Sequence, residues 1–183
     1  MEEEFPVIRS DRLSLRAVTL DDSDFYHRLL SIPEETQYSD LPDSPSQKRS
    51  ERFISWMSKL YLKGNGCAWI IEDREMQLPM GVIRINEIYK KDKRGELGYE
   101  LHPQYWGLGI MSEAVALVTQ CAHKYFLLNR LEAWTLPGND ASDRVLLKNG
   151  FIYEGTLRQK AYFKNKYQDL RIFSHLADDV CSE

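Results

Sequence analysis

The run Gln104-Tyr105-Trp106-Gly107-Leu108-Gly109-Ile110 decides the fold of this chain. Residues 96–101 before it are typical of a strand, and residues 112–127 after it repeat apolar side chains at helical spacing. The two glycines of the run lack a Cβ, so a ligand can approach the backbone closely. A strand, a loop and a helix in this order point several backbone N–H groups at one spot beside the positive end of a helix dipole. The run therefore predicts a binding site for a phosphate or pyrophosphate.

Two common phosphate-binding patterns are excluded by the residues of this loop. The chain has no GxxxxGK[ST] sequence, so the loop is not a P-loop. The GxGxxG pattern of dinucleotide-binding folds is also missing, because Gly109 is followed by Ile110-Met111-Ser112. A glycine pair before a helix is by itself often only a tight connection. Its interpretation therefore depends on the sequence around it.

The rest of the sequence predicts one mixed α/β domain over residues 1–183. Alternating or short apolar runs predict strands at 13–18, 68–72, 80–88, 96–101, 130–136, 151–154, 159–163 and 167–173. Capping residues and helical periodicity predict helices at 20–31, 46–63, 112–127 and 141–149. The stretch 33–45, rich in Pro, Ser, Asp and Glu, is expected to be an exposed loop.

The composition and charge of the chain favour a soluble globular protein over a nucleic-acid-binding or membrane protein. Hydrophobic residues make up 43% and charged residues 28% of the chain, which is typical of a soluble globular protein. The net charge of −4 and the absence of a basic block argue against a nucleic-acid partner. The start, Met1-Glu2-Glu3-Glu4, does not resemble a signal peptide, and no apolar run approaches the roughly 20 residues of a membrane span. Cys67, Cys121 and Cys181 are expected to be reduced thiols, and the protein is expected in the cytoplasm, without a membrane partner.

Several ordered blocks resemble one family. The pattern Gln-x-x-Gly-x-Gly at 104–109 resembles the pyrophosphate-binding motif of the GNAT acetyltransferases. The segments 10–16, 98–114, 130–133, 139–142, 149–155 and 162–169 resemble, in order, its ribosomal-protein N-acetyltransferase subfamily. The resemblance covers essentially the whole chain. It implies the GNAT fold, a mixed, mostly antiparallel sheet of six or seven strands flanked by about four helices. In that fold strands four and five, here 96–101 and 130–136, splay apart.

The resemblance also implies acetyl-CoA as co-substrate, with no metal. The pantetheine arm would lie between the splayed strands, and the amides of residues 106–111 would hold the pyrophosphate. Asn139 would bind the cofactor near its reacting end or cap the following helix, and one side chain can do both. The cofactor-binding residues implied by the resemblance are Leu101, His102, Gln104, Trp106, Gly107, Leu108, Gly109, Ile110, Met111, Asn139 and Ser142.

The residues that would carry the proton transfers are less well defined by the sequence. Glu100 is the first candidate for the general base, although strand residues alternate and its side chain can equally face solvent. Glu87 is a second candidate near the acceptor, and Tyr162 is a candidate for lining the acceptor groove. His102 has a suitable pKa range but more often lies at the rim of such a loop.

The acid of the reaction departs from the family pattern. Many GNAT enzymes carry a proton-donating tyrosine five residues before the Phe of the Gly-Phe pair, and here that position is Leu146. Ser142 matches a serine proposed for this role in the ribosomal-protein subfamily, and a bound water is the alternative. A glutamate implicated in that subfamily's catalysis is replaced here by Ala161, which weakens any direct transfer of its substrate.

These residues leave three functions open. The first is direct acetyl transfer, in a ternary complex, to the α-amine of a protein N-terminus. An α-amine of pKa about 7.7–8.0 is roughly 10–15% neutral at pH 7 and needs little help from a base. The second is acetylation of a small amine such as an antibiotic, a polyamine or an amino acid. The third is a non-catalytic acetyl-CoA sensor. A homodimer is compatible with the resemblance.

Overall fold

One eight-stranded sheet organises the computed structural model, which describes residues 4–41 and 45–181. Its strands are β1 (Ile8–Arg9), β2 (Leu13–Ala17), β3 (Cys67–Asp73), β4 (Pro79–Tyr89), β5 (Arg94–Leu101), β6 (Arg130–Thr135), β7 (Ile152–Phe163) and β8 (Lys166–Leu176). Their spatial order is β1-β2-β3-β4-β5-β6-β8-β7, and the pair β5–β6 is parallel while the other neighbours are antiparallel. The expected meander is therefore β3-β4-β5. The strand count exceeds the predicted six or seven because the two-residue strand β1 joins the edge.

Helices cover both faces of the sheet. They are α1 (Ser23–Leu30), α2 (Pro33–Thr36), α3 (Gln47–Leu60), α4 (Ile110–Lys124) and α5 (Asp140–Lys148). One core cluster packs α4 and α5 against the sheet, and a second packs α1 and α3 against its other face. β3 contributes Trp69 to the first cluster and Ile70 to the second, both fully buried. Burial on both faces explains why this strand is a continuous apolar run.

The helix starts follow the predicted capping residues. Thr19 and Asp22 form a capping box around a single 3-10 turn, which leads directly into α1. The side chain of Ser46 accepts a hydrogen bond from the Arg49 amide at 3.3 Å and starts α3. At Ser46 the side-chain oxygen accepts from an amide of the first turn, and at Thr19 the Asp22 carboxylate accepts from the Thr19 amide at 2.8 Å.

The prediction of an exposed loop at 33–45 was wrong in its first part. Pro33 begins the short helix α2, and Thr36 at its end is fully buried. Proline in the first turn followed by Glu34 and Glu35 is a helix-start pattern that was outweighed by the polar composition of the stretch. Leu41 is also buried, at 4% exposure, while 42–44 lie outside the described residues.

The end of the chain forms one long hairpin. β7 runs through the two segments predicted as separate strands, with irregular register between Tyr153 and Gly155 and between Leu157 and Ala161. Such bulges bend a strand without ending it. The thiols of Cys67 and Cys121 are free, and the side chain of Cys181 lies outside the described part. Of the helices formed by the described residues, none has the length and apolar character to cross a membrane.

We expect Phe173→Ala to lower the free energy of unfolding by about 3–5 kcal/mol, because it empties a ring-sized volume from a close-packed core. Phe173 is fully buried on β8. Tyr162→Ala is the control, since that ring is 63% exposed on the neighbouring strand, and its effect should stay below about 1 kcal/mol. Urea denaturation measures both. Equal losses in the two variants would contradict the assigned core.

Candidate active site

The site begins where two neighbouring strands separate. The parallel pairing of β5 with β6 runs from Arg94 opposite Arg130 to Leu97 opposite Ala133. Beyond these pairs residues 98–101 of β5 and the end of β6 line a cleft of about 900 Å³. The splay of these two strands, implied by the resemblance, is thus confirmed. The gap leaves backbone groups of β5 without a sheet neighbour, so they are available to other partners.

The glycine loop closes one end of this cleft. Gly107 and Gly109 have φ angles of +74° and +77°, in the left-handed region that favours glycine, and Gly109 directly precedes α4. A Cβ added at Gly107 would meet no heavy atom within 4 Å, so this backbone faces open space. The first-turn amides of a helix carry partial positive charge and attract anions. The loop therefore fits a pyrophosphate group.

Polar contacts fix the loop in place. Glu113, in the first turn of α4, pairs with Arg12 and accepts a hydrogen bond from the Ser10 hydroxyl at 2.6 Å. The indole Nε1 of Trp106 donates to the carbonyl oxygen of Leu101 at 2.7 Å. These contacts tie the loop to the edge of the sheet and to the end of β5, so the amides keep their direction before a ligand arrives.

Two carboxylates, those of Glu35 and Glu100, line the cleft near the end of β5. Glu100 is buried, and both its oxygens accept hydrogen bonds from the guanidinium of Arg84, one of them at 2.8 Å. Glu35, on α2, accepts a hydrogen bond from the backbone N–H of Leu101 at 3.0 Å. Burial, followed by the nearby charge of Glu100, raises the pKa of Glu35 to about 8, while the Leu101 amide works against the rise. The sequence pointed to Glu100 and missed Glu35, because 33–45 was expected to be exposed.

A pair of hydroxyls faces the cleft from the other side. Ser142, in the first turn of α5, lies 2.6 Å from the hydroxyl of Tyr99 on β5. Asn139 caps α5, since its side chain accepts a hydrogen bond from the Ser142 amide at 3.2 Å. Burial raises the pKa of Tyr99 well above its usual range, although the hydrogen bond with Ser142 lowers it, so the phenol keeps its proton. Tyr99 was missed because only side-chain alternation within β5, not a spacing motif, directs it to Ser142.

The predicted site residues divide into two groups. The cleft is lined by Leu101, Trp106, Gly107, Gly109, Ile110, Met111, Asn139, Ser142 and Glu100. His102, Gln104 and Leu108 do not belong to this lining. The Nδ1 atom of His102 accepts from the Gln104 amide at 3.3 Å, which supports the turn. Leu146 is fully buried, so the position of the family tyrosine belongs to the core.

Two predicted acceptor residues lie away from the cleft lining. Glu87 is exposed near the end of β4, where its carboxylate accepts from the Tyr89 hydroxyl at 2.8 Å. A register shift after Ile85 directs this part of β4 to the start of β5, far along the strand from the gap. Tyr162 is 63% exposed and packs against Tyr167 at the hairpin tip. The structure therefore gives no support to Glu87 or Tyr162 as acceptor-binding residues.

Comparison with known proteins identifies the family. The acetyltransferase (GNAT) domain family matches residues 12–152. The chain belongs to the GNAT acetyltransferases. An uncharacterized N-acetyltransferase of Bacillus subtilis, YoaA, is 34% identical to this GNAT protein over 170 residues, covering 93% of this chain and 96% of the relative. The protein is thus an N-acetyltransferase that takes its acetyl group from acetyl-CoA.

Solved structures share the fold of this GNAT protein. A ribosomal L7/L12 α-N-protein acetyltransferase, RimL, in complex with coenzyme A superposes with a TM-score of 0.85 at 24% identity, covering 95% of this chain and 99% of that one. A chimera of the Vibrio cholerae spermidine N-acetyltransferase SpeG with hSSAT reaches 0.82 at 18% identity, covering 94% and 100%. At these identities the likeness concerns the fold, and proteins with different acceptors share it.

We expect Gly107→Val to weaken acetyl-CoA binding at least roughly tenfold, because a branched side chain would occupy the space in front of the loop amides and strain a left-handed residue. Isothermal titration calorimetry with acetyl-CoA measures the affinity. Gly155→Val is the control, since Gly155 also has a positive φ and open space around its Cβ but lies on β7. Unchanged affinity in Gly107→Val would contradict the assignment of the loop.

Proposed function

We propose that this GNAT enzyme acetylates the α-amine of a protein or peptide N-terminus by direct transfer in a ternary complex. The observation that carries this proposal is the shape of the acceptor end. The cleft between the parted strands continues past Phe53 and Trp56 into an open groove on α3. A small amine would fill only the inner end, whereas an extended peptide would occupy both parts.

The groove on α3 carries positive charge. Lys48, Arg49 and Arg52 are exposed along it, next to the half-exposed ring of Trp56. Guanidinium groups bind carboxylates through fixed pairs of donors, and aromatic faces provide apolar contact at low entropic cost. The groove therefore suits a polypeptide with acidic side chains behind its amino terminus, and it repels a polyamine along its length.

The transfer needs a polarised thioester, a neutral amine and a protonated leaving thiol. The Leu101 amide points into the gap between β5 and β6 and would donate to the thioester carbonyl, as oxyanion-hole donors do. The hydroxyl pair Ser142–Tyr99 would protonate the departing sulfur, with Asn139 holding the first turn of α5. Ser142 therefore acts together with a tyrosine that comes from β5 rather than from α5.

A second candidate acceptor is a small polycationic amine. Among the described residues, the cleft lining carries five carboxylates against three cations: Glu34, Glu35, Asp40, Glu100 and Asp140 against Arg84, Arg144 and Lys148. That excess of negative charge attracts a cation at short range. The two candidates differ in what lies farther out, because a peptide reaches the α3 groove and a free polyamine is repelled by it.

Arg49→Ala combined with Arg52→Ala should raise KM for an N-terminal peptide with acidic residues about tenfold and leave KM for spermidine unchanged or lower, because only the peptide reaches the groove. Steady-state acetyl-transfer assays with both acceptors measure this. Lys59→Ala removes a charge from the last turn of the same helix and is the control. A wild-type enzyme that acetylates spermidine but no peptide would overturn the N-terminal proposal, and tight acetyl-CoA binding without any transfer would indicate a sensor.

Ser142→Ala should lower kcat on the order of 100-fold while changing acetyl-CoA affinity less than about threefold, because the hydroxyl serves the leaving group rather than the nucleotide. Tyr99→Phe should give a similar loss if the two hydroxyls act as one donor, and the double variant should be little worse than either single one. Single-turnover measurements separate this chemical step from product release. Wild-type kcat in both single variants would leave the pair with a structural role only.

A further inference from the structure

We propose that Glu35 is the residue that binds the acceptor amine and removes its proton. In the free enzyme its carboxyl group holds the Leu101 amide, and it leaves this amide when the acetyl carbonyl of the co-substrate arrives. The inference rests on the proposed function, since it assigns the acceptor side of that same cleft. Its carrying observation is the 3.0 Å hydrogen bond from Leu101 N to Glu35 Oε1 at the mouth of the strand gap.

The direction of the Leu101 amide follows from the pairing of β5. The next amide, that of His102, donates to Met80 on β4 at 2.9 Å. Successive amides of a strand point to opposite sides, so that of Leu101 points to the gap that opens toward β6. This is the amide assigned above to the thioester carbonyl. A carboxyl group bound to it lies within one hydrogen bond of the reacting carbon.

Glu35 is held there by contacts from two other parts of the fold. The ammonium Nζ of Lys164, at the tip of the β7–β8 hairpin, donates to the Thr36 carbonyl at 2.6 Å. The ring of Tyr38 lies over the turn before α5, where a Cβ on Gly138 would approach it to 3.6 Å. The short helix α2 is therefore clamped between the hairpin and the β6–α5 turn, which fixes the position of its carboxylate.

Glu100, the carboxylate that the sequence favoured, is occupied differently. Both its oxygens accept from Arg84, whose Nε donates to the Asn86 side chain at 2.6 Å. An amine would have to displace a bidentate guanidinium to reach it. Within residues 4–41 and 45–181, Glu35 accepts a protein hydrogen bond at Oε1 alone. Its Oε2 can therefore accept a proton without breaking an ion pair.

The groups around Glu35 set its proton affinity. The groups that act on it are the charge of Glu100 on β5 and the Leu101 amide. Arg84 on β4 and Asp40 beyond α2 line the same cleft, and the buried hydroxyl of Tyr26 on α1 is in turn affected by the Glu35 charge. Burial and the Glu100 charge together raise the pKa of Glu35 to about 8. The amine attacks in its neutral form, which an α-amine of pKa about 7.7–8.0 supplies to roughly 10–15% at pH 7. Its N–H proton becomes acidic as the bond to the thioester carbon forms, and the Glu35 carboxylate takes it at that point. Because the carboxylate is the active form, this contribution to rate is present above pH 8 and is lost as the pH falls through 8.

The amine nitrogen forms a bond to the thioester carbon, and the carbon–sulfur bond breaks. The proton of the amine passes to the Glu35 carboxylate, and the thiolate receives the proton of the Ser142–Tyr99 pair. Solvent then takes the proton from Glu35 and restores the hydroxyl. The products are the acetylated amine and coenzyme A as the thiol.

Glu35→Gln tests the role, because the amide oxygen of glutamine can still accept from Leu101 but cannot take a proton. We expect kcat/KM for the best amine acceptor to fall on the order of 100-fold, with acetyl-CoA affinity within about threefold of wild type. The slope of log kcat/KM against pH below 8 should drop from about two to about one, since only the acceptor amine still titrates. A merely structural glutamate would leave that slope unchanged. Glu75→Gln, at an exposed glutamate in the turn between β3 and β4, is the control.

A binding measurement tests the exchange at Leu101 without turnover. In Glu35→Ala the acetyl carbonyl no longer competes with a carboxyl group for that amide, whereas coenzyme A lacks this carbonyl. The ratio of the Kd of coenzyme A to that of acetyl-CoA should therefore rise at least roughly threefold relative to wild type. Circular dichroism and melting temperature verify that the variants fold.

The outcomes separate this inference from the proposed function. If the wild-type enzyme acetylates only spermidine and Glu35→Gln loses this activity, the role of Glu35 stands and the peptide acceptor is overturned. If Glu35→Gln acetylates peptides with wild-type kcat/KM and an unchanged slope of log kcat/KM against pH, the role of Glu35 is overturned and the peptide acceptor stands. If the wild-type enzyme acetylates no amine, the binding measurement decides. An unchanged ratio of the Kd of coenzyme A to that of acetyl-CoA in Glu35→Ala then overturns the inference.

Discussion

The parting of β5 from β6 is the constraint on which the rest of the site depends. Two parallel strands share hydrogen bonds at one end and diverge at the other, so the sheet itself leaves backbone groups of β5 unpaired. Buried amides need partners, and in the free protein a carboxyl group from α2 provides one for Leu101. We propose that the same gap receives the pantetheine arm of the co-substrate. Binding and catalysis would then use backbone groups that the fold leaves unpaired in its own sheet.

Charge in the cleft is unevenly distributed around this gap. Two carboxylates, Glu35 and Glu100, lie close enough for one to perturb the other, and a single guanidinium, Arg84, binds both oxygens of Glu100. Burying a charge without a partner costs more than burying a hydrogen-bonded pair. Glu100 therefore has its counter-charge in Arg84, whereas Glu35 carries the cost of burial in the form of a raised pKa. In our proposal Glu100 organises the site and Glu35 takes the proton.

The fold separates what GNAT proteins share from what distinguishes them. We propose that the loop before α4 and the parted strands serve the acetyl donor, and the superposed acetyltransferases share the overall fold that carries them. The acceptor side is built from α2, α3 and the β7–β8 hairpin, which approach one another only in the folded protein. The hydrogen bond from Lys164 to the Thr36 carbonyl joins segments 128 residues apart. Acceptor choice therefore depends on surfaces that can change without altering donor binding.

The sequence by itself determined the local features of this protein, including the loop that we assign to the acetyl donor. The alternation of β2, β4 and β5, the caps Thr19 and Ser46 and the glycines of the loop are local features, and local backbone preferences suffice to define them. The acceptor half depended on tertiary structure. Its contacts join residues that are distant in sequence, and no spacing pattern encodes them. They are those of Tyr99 with Ser142, Glu100 with Arg84, and Glu35 with Leu101. A carboxylate becomes a base or half of an ion pair according to what packs against it, and only the folded chain decides that.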